Sequence, residues 1–447
     1  MATVGLSMIV KNGGEDLRAC LGSVRSIVEQ IVIADTGSTD NTVDIAREFG
    51  AIVVDFPWTD HYAEARNAAL EPLTTDWVLV LDADEELGPE GLTGVPDLIH
   101  ATGESVGGYR LTIRNYFSVS VASMLGVLSR ANDDVFERAK AARSYSDYCL
   151  CRLFRRHPKI NFAGRVHEGI EAQARQAGYV CRDSAIRVLH FGNLMSEGNY
   201  KKKQEYYCNL LRTAVAESPR HPHLWIQLAL EEIQYFDNSE FAMECAEKAL
   251  AINPQQHEAW AIIGGVHRGA NRYAQALKAL ERLPDSGDWG ITKASGLGDL
   301  LHNLGRYKEA RAMYLRALQR SRRSNPPLPA EYLASLESRV GYTEVQLGLY
   351  KVGFRKLHRA IEASPAEADN HDRLTKAYIL RQDDRGAADA AESTLRYLSD
   401  EKVYRRAVAL RVRLHESDRA RLLLDAGLQA FPQSEALQRM SIELQPR

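Results

Sequence analysis

The hydrophobic period changes part-way along this chain, and that change rules out a single uniform fold. Over the first 85 or so residues, short apolar runs alternate with helical patterns. From about Pro222 onward the strand-like runs vanish and helical segments recur. The first half predicts a run of strands. Val4 to Val10 is a short buried strand, followed by Leu17, Cys20, Leu21 and Val24 at the spacing of an amphipathic helix. Ile31 to Ala34, Ala51 to Val54 and Trp77 to Leu81 are the next strands, with helices over Val43 to Phe49 and Tyr62 to Leu70 between them. Thr39 or Asp40 is placed to cap the helix that begins near Val43. Strand and helix in this rhythm predict a parallel sheet with helices on both faces, whose ligands sit beyond the carboxyl ends of the strands. Asp35 and the Asp82/Asp84 pair fall at two such ends.

The second half carries repeats. Tyr273 and Tyr307 lie 34 residues apart in similar settings, and Leu347 to Tyr350 repeats the theme after a Pro-rich insertion at Asn325 to Pro329. Arg385 and Arg419 hold one slot in two further repeats, also 34 apart. Small residues such as Ala276, Ala310 and Ala390 would let paired helices approach closely. About six helical pairs of tetratricopeptide (TPR) length are expected, a generic helical bundle being the plainer alternative. The expected boundaries are an α/β domain over 1–198, a helical linker over 199–221 and an all-α repeat domain over 222–447. Between the halves, Gly107 to Asn115 and Cys149 to Phe154 look like strands, while Val119 to Ser146 resists assignment and suits a loop near the site.

Composition excludes several function classes. Lys and Arg number 56 against 59 Asp and Glu, a formal net charge of −3, so no global basic footprint for nucleic acid exists. Local basic runs such as Arg152, Arg155 and Arg156, or Lys201 to Lys203, read as solvated faces. The six cysteines are scattered, with only Cys149 and Cys151 close, which is poor zinc spacing and suits a reducing, cytoplasmic compartment. Neither a leader pattern nor 18 consecutive apolar residues is present, so no membrane span is expected.

Two aspartates separated by one residue, on the turn after a buried strand, can each point an oxygen into one cleft. Such a pair can hold a divalent cation against a leaving diphosphate. A bare Asp-x-Asp is common by chance. The strand before Asp82-Ala83-Asp84, the acidic Glu85-Glu86 after it and Asp35 two strands earlier make it a candidate site.

Taken together, Ser7 to Asn12, Ile33 to Asp40, Ala65-Arg66-Asn67 and Trp77 through Glu86 resemble glycosyltransferase family 2. The likeness is to its TPR-bearing bacterial branch, which includes the sublancin-type peptide glycosyltransferases. It covers roughly residues 1 to 200 and implies a GT-A (Rossmann-like) nucleotide-sugar domain. By this resemblance Val10, Lys11 and Asn12 would line the nucleoside pocket, and Asp35 would accept hydrogen bonds from uracil or ribose. Arg66 would hydrogen-bond or stack on the base. Asp82 would contact ribose or metal, and Asp84 would ligate Mn²⁺ or Mg²⁺. Phe162 to Gly169 resembles the family's acceptor-side segment, making Glu168 the candidate base, with His167 as the alternative base or as the group that orients Glu168. His190 resembles a late family histidine that completes the metal shell or meets the diphosphate. Plainer readings stand beside these: a turn aspartate for Asp35, a surface helix arginine for Arg66, a structural strand end for His167 and Glu168, and a packed histidine for His190.

The resemblance therefore implies an inverting transfer from a UDP-sugar to a peptide or protein acceptor bound with help from the repeats. A lipid-linked or cell-surface saccharide is the alternative acceptor, and a non-catalytic TPR scaffold is the alternative class. A hydrolase fits worse, because paired carboxylates should flank a bond rather than follow a nucleotide-binding sheet. Homo-oligomerisation through the repeats is left open.

Overall fold

The computed structural model describes residues 2–118, 128–194 and 200–444, without the side chains of 200–203 and 443. The expectation for Lys201 to Lys203 and the 119–127 part of the unassigned stretch therefore lie outside the described residues. The chain forms two compact units, Met1–Val121 with Asn132–Ile262, and Ala122–Ala131 with Ile263–Arg447.

The first unit opens with β1 (Val4–Val10), α1 (Gly14–Val24), β2 (Gln30–Asp35), α2 (Thr42–Glu48), β3 (Ile52–Asp55), α3 (Tyr62–Leu70) and β4 (Trp77–Val80). These are the elements that the period of the sequence predicts. Asn41, one residue beyond the expected caps, stands at the N-cap of α2, while Asp40 accepts from the Thr42 amide at 3.0 Å. Next come β5 (Glu85–Leu87), α4 (Gly91–His100), β6 (Val106–Phe117), β7 (Arg130–Ala131), β8 (Ser144–Arg155), α5 (Glu171–Gln176) and β9 (Val180–His190). The main path of the sheet runs β3-β2-β1-β4-β8-β6-β9-β5. Strands β1 to β4 are mutually parallel, whereas β8 joins β4 antiparallel. The sheet is thus mixed beyond the parallel half expected from the first 85 residues.

Alternation along β4 shows why its run is wholly apolar. Trp77 and Leu79 enter one core layer, with Leu6, Met8, Leu17 and Leu21. Val78 and Val80 enter the layer on the opposite face, with Val32, Ala34, Ala69 and Leu70. A strand covered on both faces has no side to give to polar residues. Burying Leu79 completely contributes about 2 kcal/mol. Register then fixes the site edge: Val10 lies beside Asp35, and Ser7 beside Val80. The carboxyl ends of β2 and β4 therefore flank the end of β1.

All-helical structure begins with α6 (Tyr200–Glu217), and the first unit continues through α7 (Pro222–Phe236) and α8 (Ser239–Ile252). After α9 (His257–Gly269) and α10 (Tyr273–Leu280), the second unit contains α11 (Gly287–Asn303), α12 (Tyr307–Arg322), α13 (Ala330–Gln346) and α14 (Tyr350–Ala363). It ends with α15 (Ala368–Leu380), α16 (Asp384–Leu395), α17 (Glu401–Arg413), α18 (Ser417–Ala430) and α19 (Glu435–Glu443). Among the described residues, α7 to α18 make six consecutive helical pairs. Left-handed residues mark the turn inside each pair, at Asp237, Asn271, Gly305, Gly348, Gln382 and His415. Asp237, Asn271 and Gly305 are spaced at 34 residues, as are Gly348 and Gln382 across the later pairs. Ala276 and Ala310 are fully buried and Ala390 nearly so, as close helix contact requires.

Candidate active site

The site lies at the carboxyl edge of β1, β2 and β4. Asp35 is buried at the end of β2, and its Oδ2 accepts from the amides of Gly37 at 3.3 Å and Ser38 at 3.1 Å. Its Oδ1 is equally buried and has no hydrogen-bond partner. An orphaned carboxylate oxygen costs about 1–3 kcal/mol, so a donor from a ligand would be well placed there. Asn12, at φ +54°, fastens the neighbouring loop: its amide donates to Ser38 Oγ and its Oδ1 accepts from the Thr39 amide, both at 2.8 Å. Val10 contributes its carbonyl to Thr36, while Lys11 is exposed.

A chain of charges crosses the floor. Arg66, on α3, donates from Nη2 to Asp82 Oδ1 at 2.7 Å and from Nε to Glu168 Oε1 at 2.9 Å. Arg152, on β8, donates from Nη2 to Asp82 Oδ2 at 3.0 Å and to Glu85 Oε1 at 3.1 Å. Both arginines are buried, so the surface-helix reading of Arg66 and the solvated reading of Arg152 are corrected. Sequence reasoning missed Arg152 because a basic residue in a short Arg run carries no local sign that a neighbouring strand will bury it. The pKa values follow the same order. Burial would raise the pKa of Asp82, but Arg66 and Arg152 hold it well below the carboxylate range. Burial pushes that of Glu85 up in spite of Arg152.

Both oxygens of Asp82 are thus engaged by arginines, whereas Asp84 faces His190. Strand β5 pairs antiparallel with β9, Glu85 opposite His190, and this brings His190 Nε2 to 3.4 Å from Asp84 Oδ2. The other ring nitrogen, Nδ1, is hydrogen-bonded to Asn115 Oδ1 on β6, which fixes the ring and leaves Nε2 facing the acid. Burial lowers the pKa of His190, but Asp84, Glu85 and Asp82 outweigh it, so the net shift is upward. Gly192 approaches both closely: a Cβ there would lie 2.3 Å from Asp84 Oδ2 and 2.8 Å from His190 Nε2. Asn115 and Gly192 were not picked out from the sequence, although Gly192 stands in the His190-Phe191-Gly192 stretch.

His167 sits at φ +51° and turns away from this network. Its Nε2 meets the Tyr207 hydroxyl at 2.9 Å, and its ring packs on His223. Desolvation, then His223 and His221, push its pKa down to about 4. Among the described residues no group of three or more His, Cys, Asp or Glu side chains is assembled as a ready metal cage. No described helix is long and apolar enough to cross a membrane.

The sheet and its covering helices define an α/β domain, followed in the chain by helical repeats. The chain carries a "Glycosyl transferase family 2" domain over residues 6–158 and a tetratricopeptide repeat over 296–323. It is 37% identical over 172 residues to a TPR repeat-containing protein of Synechococcus elongatus, covering 38% of this chain and 36% of that one. It is 25% identical over 261 residues to the SPbeta prophage-derived glycosyltransferase SunS of Bacillus subtilis, covering 57% of this chain and 56% of that one. The chain thus spans between about a third and just over half of the length of these relatives. The solved structure of PilW, a type IV pilus biogenesis factor, overlays on 49% of the chain and on 97% of its own length, with a TM-score of 0.41 and 18% identity.

Proposed function

We propose that this protein is an inverting glycosyltransferase that moves a sugar from a UDP-sugar onto a peptide or protein acceptor engaged by the helical repeats. The observation that carries the proposal is the facing of Asp84 and His190 beside Gly192, at the carboxyl edge of the parallel strands. The pair suits Mn²⁺ or Mg²⁺: one carboxylate and one oriented imidazole face each other, and residue 192 has no side chain to crowd them. Two protein ligands leave the remaining positions for diphosphate oxygens and water, the common arrangement for a nucleotide-bound divalent ion. When bound, such an ion supplies charge neutralisation to the departing diphosphate.

Each protein group then has a role. Asp35 Oδ1 accepts an N–H from the base or a hydroxyl from the ribose. Asn12 holds the loop of Val10 and Lys11 against the β2 turn, forming the nucleoside wall. Asp82 keeps about a third of its side chain exposed and faces the ribose while anchoring both arginines. Arg66 serves as a positioning residue, because its Nε bond fixes Glu168 and its Nη2 bond ties that acid to the floor of the donor site. Glu168 takes the proton from the acceptor nucleophile as that atom bonds to the anomeric carbon on the face opposite the leaving UDP. The base is Glu168 rather than His167, since His167 spends its Nε2 on Tyr207.

The direct test is turnover of a panel of nucleotide sugars by the full chain, read as UDP release with peptide and with saccharide acceptors. The proposal expects release that depends on Mn²⁺ or Mg²⁺ and rises with a peptide or protein acceptor. Release stimulated only by saccharides would move the acceptor to a glycan. No release with any donor from a folded protein would favour a helical docking protein.

A further inference from the structure

The second unit holds a polar cavity of about 180 Å³, remote in sequence from every group placed in the transferase site. Helices α11, α13 and α15 supply most of its wall. Its carboxylates are over-subscribed. Asp299 accepts from Arg339 Nη1 at 3.0 and 3.1 Å, from Arg268 at 2.8 Å and from the Tyr314 hydroxyl at 2.7 Å. Asp372 is shared between Lys376, at 2.6 Å, and Arg406. Asp369 pairs with Arg373 at 3.1 Å and is itself largely exposed. Five cations therefore share three carboxylates, and three of them, Arg339, Arg373 and Lys376, line the cavity itself.

Two buried nitrogens there are left over. Arg339 Nε and His302 Nε2 are both inaccessible and have no hydrogen-bond partner. An unmet buried donor costs about 1–3 kcal/mol, more when it is charged. Burial lowers the pKa of Arg373, and the nearby Arg339 lowers it further, so cation repels cation across this wall. A network with two more cations than carboxylates, its lining arginines close together and its nitrogens partly unmet, is complementary to an oxyanion. The volume falls below the roughly 300 Å³ at which pockets for whole small molecules begin, so it suits one acidic group rather than a nucleotide. Tyr342 and His302 bring apolar ring surface for a short methylene stem.

We propose that this cavity binds the carboxylate of an acidic side chain on a peptide segment, and so selects acceptors that carry Glu or Asp. The acceptor role rests on the transferase reading; the carboxylate site does not. Arg339 and Arg373 form charge-assisted bonds to the carboxylate. Asp369 competes with the ligand for Arg373.

The test is binding of fluorescein-labelled hexaglutamate and hexaglutamine peptides to the full chain by fluorescence anisotropy at low salt. Folding is checked by circular dichroism, and UDP binding with Mn²⁺ is measured in parallel. Hexaglutamate should bind and hexaglutamine should not. Arg339→Gln and Lys376→Gln should each weaken hexaglutamate, the first by about tenfold or more, the size of one charge-assisted hydrogen bond. Asp369→Asn should tighten it, because it frees Arg373, whereas a merely structural ion pair gives no gain. UDP binding should not change in any variant. Equal binding of the two peptides would overturn the proposal, as would an Asp369→Asn that weakens hexaglutamate. So would binding of inorganic phosphate, scored by its protection of the thermal midpoint, without any peptide binding. If hexaglutamate binds as described while wild-type protein fails to bind UDP, the carboxylate site stands and the transferase reading falls.

Discussion

Asp84 Oδ2 and His190 Nε2 lie 3.4 Å apart because the antiparallel pairing of β5 with β9 sets Glu85 opposite His190, and Gly192 leaves the space beside them clear. Substituting Gly192→Ala would put a methyl group within 2.3 Å of the acid oxygen and 2.8 Å of the imidazole nitrogen. The expected outcome is loss of metal-dependent nucleotide affinity by about tenfold or more with the far-ultraviolet spectrum unchanged, since second-shell and packing changes at metal sites cost 10–100-fold. Titrating Mn²⁺ in the presence of UDP checks this; wild-type affinity in Gly192→Ala would mean that no ion sits there.

Glu168 is held by one oxygen, through Arg66, and among the described residues the other accepts no hydrogen bond. Glu168→Gln keeps the shape and removes the base. Turnover should fall by roughly 10²–10⁴-fold, the range of general-base contributions, while UDP affinity with Mn²⁺ stays within about twofold. Single-turnover kinetics with the best acceptor separates the two readouts. Equal turnover in Glu168→Gln would assign the base elsewhere.

Arg66 and Arg152 are structural as well as positional. Arg66→Met leaves Glu168 without its partner and Asp82 with only Arg152. Breaking a buried pair from one side costs about 3 kcal/mol. Urea unfolding followed by tryptophan fluorescence should show a clearly lowered midpoint for Arg66→Met. A double substitution with Asp82→Asn should recover part of it. An unchanged midpoint would show that the charge chain adds nothing to stability.

How much of this was legible beforehand follows from what sequence encodes locally. The ends of β2 and β4 could be read because apolar runs stop at Asp35 and Asp82, and the repeats because Tyr273 and Tyr307, each just past a turn inside a pair, recur in similar settings. Arg152 and Asn115 could not be read. They enter the site only because β8 inserts beside β4, with β6 next to it, and strand order is a long-range property that no window of residues contains. Gly192 left no sign either, because a glycine kept for space looks like one kept for a turn. His167 was expected, by the family resemblance of Phe162 to Gly169, to be the alternative base or to orient Glu168, yet its positive φ goes with a ring turned toward α6.

Glu231, on α7, supplies a pH prediction. Desolvation raises its carboxyl to about 7, and its Oε2 is buried without a partner. A carboxyl whose folded pKa exceeds its unfolded value leaves the protein most stable below about 4.5, and that advantage is lost as pH rises towards 7. Glu231→Gln removes the ionisation cost. Its thermal midpoint should match wild type near pH 4.5 and exceed it near pH 8, by a shift that corresponds to on the order of 1 kcal/mol of stability after allowance for partial exposure. A difference that shrinks with rising pH would contradict the assignment.

The central claim is that Asp84 and His190 grip a cation that in turn grips a nucleoside diphosphate. Isothermal titration of UDP into the full chain, with and without Mn²⁺, in wild type and in Asp84→Asn, tests it most directly. The account expects binding in wild type that needs Mn²⁺ and is lost, by tenfold or more, in a folded Asp84→Asn. UDP binding that is indifferent both to Mn²⁺ and to Asp84→Asn would contradict it.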